Sequence, residues 1–140
     1  MSLSIGVAAG KSGCTPPTIR YYESIGLLSR PARNEAGRRT YGPQDVARLA
    51  FIRRARDFGL GIPQVRELLA AAEAPATACV LARPVVEAQI RALRAKRAEL
   101  KALESALGSI LTRCEAVCRT GTAPECAIFG DFQLPDAGRP

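Results

Sequence analysis

PVVEAQIRALRAKRAELKALESALGSILTR, residues Pro84 to Arg113, decides the fold of this 140-residue chain. Its apolar residues Val86, Ile90, Leu93, Leu100, Leu103, Leu107 and Ile110 recur at spacings of three and four or their sum, which predicts one long helix with a single narrow stripe. At 1.5 Å per residue such a helix is about 45 Å long. A domain of this size needs no such rod for its own core. Val86, Leu93, Leu100 and Leu107 stand seven apart, the repeat that a two-stranded coiled coil buries. The expectation is therefore a homodimer whose seam holds Val86, Ile90, Leu93, Leu100 and Leu107. Arg97 and Glu104 interrupt positions near that seam, where charges either set pairing register or lie solvated along it.

Cysteines bracket the rod. Cys79 stands before it and Cys114, Cys118 and Cys126 after it, so within one chain they would lie a rod's length apart. In an antiparallel pair, Cys79 of one chain meets the cluster of the other, and a thiolate site forms only in the dimer. Thiolate is a soft ligand that selects Hg(II), Pb(II), Cd(II), Zn(II), Cu(I) or an iron–sulfur cluster over hard ions. Three cysteines within 13 residues of a polar, Gly- and Pro-bearing segment suit ligands better than buried small hydrophobes. The chain has no His, which disfavours a mixed-ligand zinc site and removes His-centred acid–base catalysis. It also has no Cys-x-x-Cys and no legible nucleophile–base pair, so no enzyme is expected.

Composition agrees with a helical protein. Hydrophobic residues make up 47% but aromatic ones only 5%, with no Trp, so the core rests on Leu, Ile, Val and Ala. The formal charge is +7, and it is uneven: residues 1–76 carry 11 Lys+Arg against 6 Asp+Glu, and residues 77–140 carry 9 against 7. The basic face belongs to the N-terminal half, where it suits a polyanionic partner. The N-terminus has neither a cationic start nor a signal-like apolar run, and no later segment is long and apolar enough for a membrane, so a cytoplasmic protein with reduced thiols is expected.

In chain order, Ser4 caps a short apolar helix to Lys11, Ser12-Gly13-Cys14 breaks it, and Thr15 caps a second helix with Pro16 and Pro17 in its first turn and Gly26 at its end. Two short helices joined by a Gly-containing turn form a helix-turn-helix candidate. Ser29 to Tyr41 interleaves Arg30, Arg33, Arg38 and Arg39 with Pro31, Asn34 and Gly37, the pattern of a basic hairpin or wing. Pro43 opens a third helix to Phe58, and Pro63 a fourth. Arg53, Arg54 and Arg56 have the look of a solvated face. The expected divisions are 1–76, a winged helix-turn-helix domain; 77–113, hinge and dimerisation helix; 114–131, cysteine loop with a short helix; and 132–140, a flexible tail.

Thr18-Ile-Arg-Tyr-Tyr-Glu23, Gly26-Leu-Leu28, Pro31, Arg33, Gly37-Arg-Arg-Thr-Tyr41 and a Phe51-Ile-Arg helix together resemble the MerR family of transcription regulators, over nearly the whole chain. The resemblance implies an all-α fold with a small β wing: a winged helix-turn-helix head on a long antiparallel coiled coil. It implies a homodimer that binds promoter double-stranded DNA with an over-long spacer and, once induced, distorts it so that RNA polymerase engages both promoter elements. Carried over residue by residue, Thr18, Arg20 and Tyr21 sit where the family's recognition helix meets bases and phosphates, and Arg38, Arg39 and Tyr41 sit in its wing. Arginine forks suit phosphate oxygens or a guanine edge. Tyr22 and Tyr41 read equally well as packing residues.

Cys79 and its 35-residue interval to Cys114 resemble the family's divalent-metal sensors, and copper sensors carry Ser at the first position. The metal site implied is Cys79, Cys114, Cys118 and Cys126, for Hg(II), Pb(II), Cd(II) or Zn(II), with Cu(I) less favoured. The loop departs from the divalent pattern, because Cys118 to Cys126 has the Cu(I) spacing; either Cys114 or Cys118 can partner Cys126. The alternative is a Cu(I) sensor or a thiol-based sensor of oxidants or electrophiles on the same fold. Cys14 resembles a position where lead-responsive members carry Cys, and it reads as well as a simple turn residue.

Overall fold

The computed structural model describes residues 2–117 and 126–132. Helices α1 (Ile5–Ser12) and α2 (Pro16–Ser24) precede strands β1 (Ala32–Arg33) and β2 (Arg39–Thr40). After them come α3 (Pro43–Asp57), α4 (Ile62–Ala72), α5 (Ala78–Val117) and α6 (Ala127–Asp131). The fold class expected from the sequence, all-α with a small wing and a long helix, is the one observed. The chain divides into two compact units, residues 1–89 and 90–140.

Local chemistry sets the boundaries of the first unit. Ser4 accepts the N–H of Val7 at 3.4 Å and starts α1, and Gly13, at φ +74°, ends it in the left-handed conformation that favours glycine. A Cβ there would also lie 2.8 Å from a guanidinium nitrogen of Arg53. Thr15 then caps α2 through the N–H of Thr18, with Pro at the first helical positions. The strands pair antiparallel, Ala32 with Thr40 and Arg33 with Arg39, and Asn34 closes the turn by accepting the N–H of Arg38 at 3.0 Å. Leu3 adds an antiparallel bridge to Tyr41, each N–H to the other's carbonyl at 2.8 Å.

The core of this unit lies where α1, α2, α3 and α4 meet, around Ala8, Ile19, Leu49, Ile52 and Val65, with Leu27 and Leu28 from the turn after α2. Each large aliphatic side chain buried there contributes about 1.5–3 kcal/mol. Arginines tie the helix ends down. Arg48 donates to the Leu27 carbonyl at 2.7 Å, Arg56 to that of Leu60 at 2.8 Å, and Arg54 lies 5.1 Å over the Phe58 ring. The start of α5 joins the same core through Val85, and Gln89 donates to the Phe58 carbonyl at 2.9 Å.

The long helix is longer than its periodicity indicates. It begins six residues before Pro84 and ends four after Arg113, so Cys79 lies within its first turn and Cys114 within its last turns, rather than outside it. Pro84 is interior. It lacks only the N–H that would have reached the Val80 carbonyl, and the Ala-rich start, with Thr77 accepting the Leu81 N–H at 3.0 Å, carries the helix through that single missing bond. In the second unit Ile90, Leu93, Leu100, Leu103 and Leu107 form one stripe, each close to half exposed. No helix among the described residues is long and apolar enough to cross a membrane.

Candidate functional site

The first candidate surface is basic. Arg20 of α2, Arg30 and Arg33 before and in β1, and Arg39 of β2 line one cleft of about 500 Å³, with Glu23 in its wall. Thr18 is half-buried, its hydroxyl 2.8 Å from that of Thr15, while Arg20, Tyr21 and Arg38 are exposed. Arg33 donates to the Gly37 carbonyl at 2.6 Å, which stiffens the ribbon below Arg38. Guanidinium groups converging on a concave surface this polar suit phosphate oxygens. The carry-over from the family thus brings Arg20 and Arg39 together in space, and leaves Thr18 and Tyr21 on the same short helix.

Tyr41 is corrected. Its side chain is 1% exposed and part of the core, so it has no surface to offer a duplex. Strand alternation puts Tyr41 and Arg39 on one side, toward α2, where both reach Glu23: the Tyr41 hydroxyl donates to Oε1 and the Arg39 Nε donates to Oε2 at 3.1 Å. Burial, then the bond to Glu23, pushes the Tyr41 hydroxyl well above the usual tyrosine range. Glu23 itself escaped the sequence reading. Its signal was that a carboxylate stood one helical turn after Arg20 in a segment otherwise rich in arginine.

Tyr22 is also buried, and burial first, then the neighbouring Cys14, pushes its hydroxyl up. Cys14 packs against the core, its thiol 3.8 Å from the Leu49 carbonyl, which is the behaviour of a turn residue.

The second candidate is the thiol cluster. Cys126 is the N-cap of α6, and its thiol is held below the usual cysteine range by the backbone N–H groups of Phe129 and Ile128 and by a hydrogen bond with the Cys114 side chain. Beside them Arg113 grips Asp131 with both terminal nitrogens, one at 3.2 Å from Oδ1 and the other on Oδ2, which fixes α6 against the end of α5. Cys118 lies outside the described residues. Cys79 is exposed. Among the described residues no three Cys, Asp or Glu side chains converge on one point. Two adjacent thiols, one held below the usual cysteine range, nonetheless fit part of a soft-metal donor set.

A helix-turn-helix followed by a two-stranded ribbon, two more helices and one long apolar-striped helix defines a winged helix-turn-helix transcription regulator. Residues 3–72 match the MerR HTH family regulatory proteins and residues 46–110 the MerR DNA-binding family, and the chain belongs to the MerR family. It is a regulator of transcription and not an enzyme. Heavy metal-dependent transcription regulator 2 of Rhizobium meliloti (strain 1021) is 37% identical over 130 residues, 93% of this chain and 86% of that protein. The mercuric resistance operon regulatory protein of Pseudomonas fluorescens is 33% identical over 132 residues, 94% of this chain and 88% of that one. The crystal structure of the transcription regulator PbrR691 from Ralstonia metallidurans CH34 in complex with lead(II) superposes with a TM-score of 0.78 at 35% identity, covering 93% of this chain and 98% of that chain.

Proposed function

We propose that this chain is a cytoplasmic, metal-responsive activator: a homodimer that binds promoter duplex through the basic cleft and distorts it for RNA polymerase when a thiophilic divalent ion occupies its cysteines. The observation that carries the reading is the Cys114–Cys126 thiol pair at the end of α5, beside the Arg113–Asp131 fork that holds α6 there. The names of the relatives, mercuric, heavy metal-dependent and lead-bound, support the same class of ion. The fold supports duplex recognition by α2, with Thr18, Arg20 and Tyr21, and by the wing, with Arg38 and Arg39.

The proposed ligands are Cys114, Cys118 and Cys126 of one protomer with the partner subunit's Cys79. When bound, a soft divalent ion supplies cross-links between thiolates that no proton can replace. The Arg113–Asp131 fork holds α6 so that Cys126 stays beside Cys114. Val86, Ile90, Leu93, Leu100 and Leu107 pair the two copies. Closure onto Cys79 biases the angle between the two DNA-binding heads, and the bias equals the difference in ion affinity between the two states of the dimer.

The test is a titration of the reduced dimer with Hg(II), Pb(II), Cd(II), Zn(II) and Cu(I), following the thiolate-to-metal charge-transfer band in wild type and in Cys79→Ser. Tight divalent binding that the variant loses is the expected result, and the tightest selective ion names the inducer. Divalent binding unchanged in Cys79→Ser would overturn the cross-dimer site. The thiol pair also favours a second reading, in which peroxide takes two electrons from Cys114 and Cys126, two protons leave and a disulfide forms. Activation by peroxide without any metal would select it.

A further inference from the structure

Glu23 stands in a place where electrostatics alone would not put a carboxylate. Arg20, Arg30, Arg33 and Arg39 line the cleft that a polyanion would enter, and Glu23 lies in its wall with a side chain only 8% exposed. A buried carboxylate is costly unless paired, and this one is paired twice, with the Arg39 Nε and the Tyr41 hydroxyl. Both partners come from the end of the wing, and Glu23 comes from the last turn of α2. The wing backbone has its own supports in the Leu3–Tyr41 bridge and the Asn34 turn. What Glu23 adds is the placement of side chains.

We infer that Glu23 is a positioning residue for duplex recognition: it locks Arg39 at a fixed distance from the recognition helix and withholds it from indiscriminate phosphate pairing. The inference rests on the DNA-binding reading proposed above. Specific binding requires α2 in a groove and the wing on the flanking backbone at once, so the spacing between them must match the duplex. An Arg39 released from Glu23 reaches whichever phosphate is nearest, in any sequence. The carboxylate also repels phosphates, a cost that only a fully complementary site outweighs.

Glu23→Gln separates this role from a merely structural one, because the amide oxygen still accepts the Tyr41 hydroxyl while the charge facing Arg39 is gone. The probes are a duplex that the full-length wild-type protein selects from a random-sequence pool, and a scrambled duplex of the same length and composition. The ratio of the two affinities is expected to fall about tenfold in Glu23→Gln, with scrambled binding equal or tighter and its log–log salt slope steeper by up to about 1. In an Arg39→Gln background the same change is expected to have no further effect. A ratio within about twofold of wild type, an equal loss on both duplexes, or an effect undiminished in that background overturns the inference. Should Glu23→Gln fail to fold, Arg39→Lys carries the test: it keeps the charge but not the Nε donor, and the same fall in ratio is expected, its absence being disproof. If wild type selects no duplex at all, the DNA-binding reading has failed, and this inference with it.

Discussion

Tyr41 is held neutral by two causes of the same sign, and this has a measurable consequence. Its hydroxyl leaves the ordinary value of 10.0 upward, through burial and then through Glu23. A folded value raised above the unfolded one contributes stability that is fully present below pH 10.0 and drains away as the pH climbs through the folded value. Tyr41→Phe is expected to lower stability at neutral pH by about 1.5–3 kcal/mol, the worth of a hydrogen bond to a charged acceptor. From about pH 9 to about pH 11 its Tm should fall less steeply than that of wild type, and equal slopes would acquit Tyr41. Cys126 moves the other way, away from the ordinary 9.0, so peptide-resolved iodoacetamide labelling should show it reacting at lower pH than an ordinary thiol. A labelling midpoint at or above 9.0 contradicts that. At this scale the sequence was partly legible. The arginines and Tyr21 were placed on the surface by motif, but an aromatic residue at the end of a two-residue strand looks the same whether it faces solvent or core. Glu23, eighteen residues earlier, supplies the partner for the buried hydroxyl, and a pairing that distant leaves no mark on the strand.

Among the elements, α5 was legible in its middle and not at its ends. The leucine stripe announces a helix because apolar residues mark a face, whereas Ala78 to Ala82 marks none, and a proline followed by a stripe reads as a first helical position. The structure puts six helical residues before that proline. Pro84→Ala restores the bond to the Val80 carbonyl, and stability in denaturant should rise by roughly 1–3 kcal/mol, less what proline contributes by restricting the unfolded chain. No gain would mean that the proline is accommodated at no cost. The stripe makes its own claim: Leu100 is 59% exposed in the single chain, so in the proposed dimer its hydrophobic free energy is realised between copies. Leu100→Asp should convert the dimer to monomer in sedimentation at micromolar concentration, and an unchanged mass would remove this seam from consideration. The short helix α6 was expected as one apolar turn; the Arg113–Asp131 fork that holds it could not be foreseen, since an ion pair eighteen residues apart leaves no periodic trace.

For the whole molecule, the order of head, wing, long helix and terminal cysteines was readable because each module carries its own local signature. The thiol pairing was not, since Cys114 and Cys118 both lie at spacings that a loop can close. A site shared between chains has a signature of its own. In a heterodimer of one Cys79→Ser chain and one Cys126→Ser chain, a cross-dimer arrangement keeps one complete set of ligands and destroys the other. Tandem-purified heterodimers should therefore bind about one ion where both parent homodimers bind none. Zero binding would place all ligands within one chain. The bridge between Leu3 and Tyr41 reaches further than packing. An affinity tag or fluorescent fusion joined close ahead of Leu3 would hang from a bridge zipped to the end of the wing, whose Tyr41 shares Glu23 with Arg39 of the cleft. Binding measured on such a fusion would describe the handle as well as the protein.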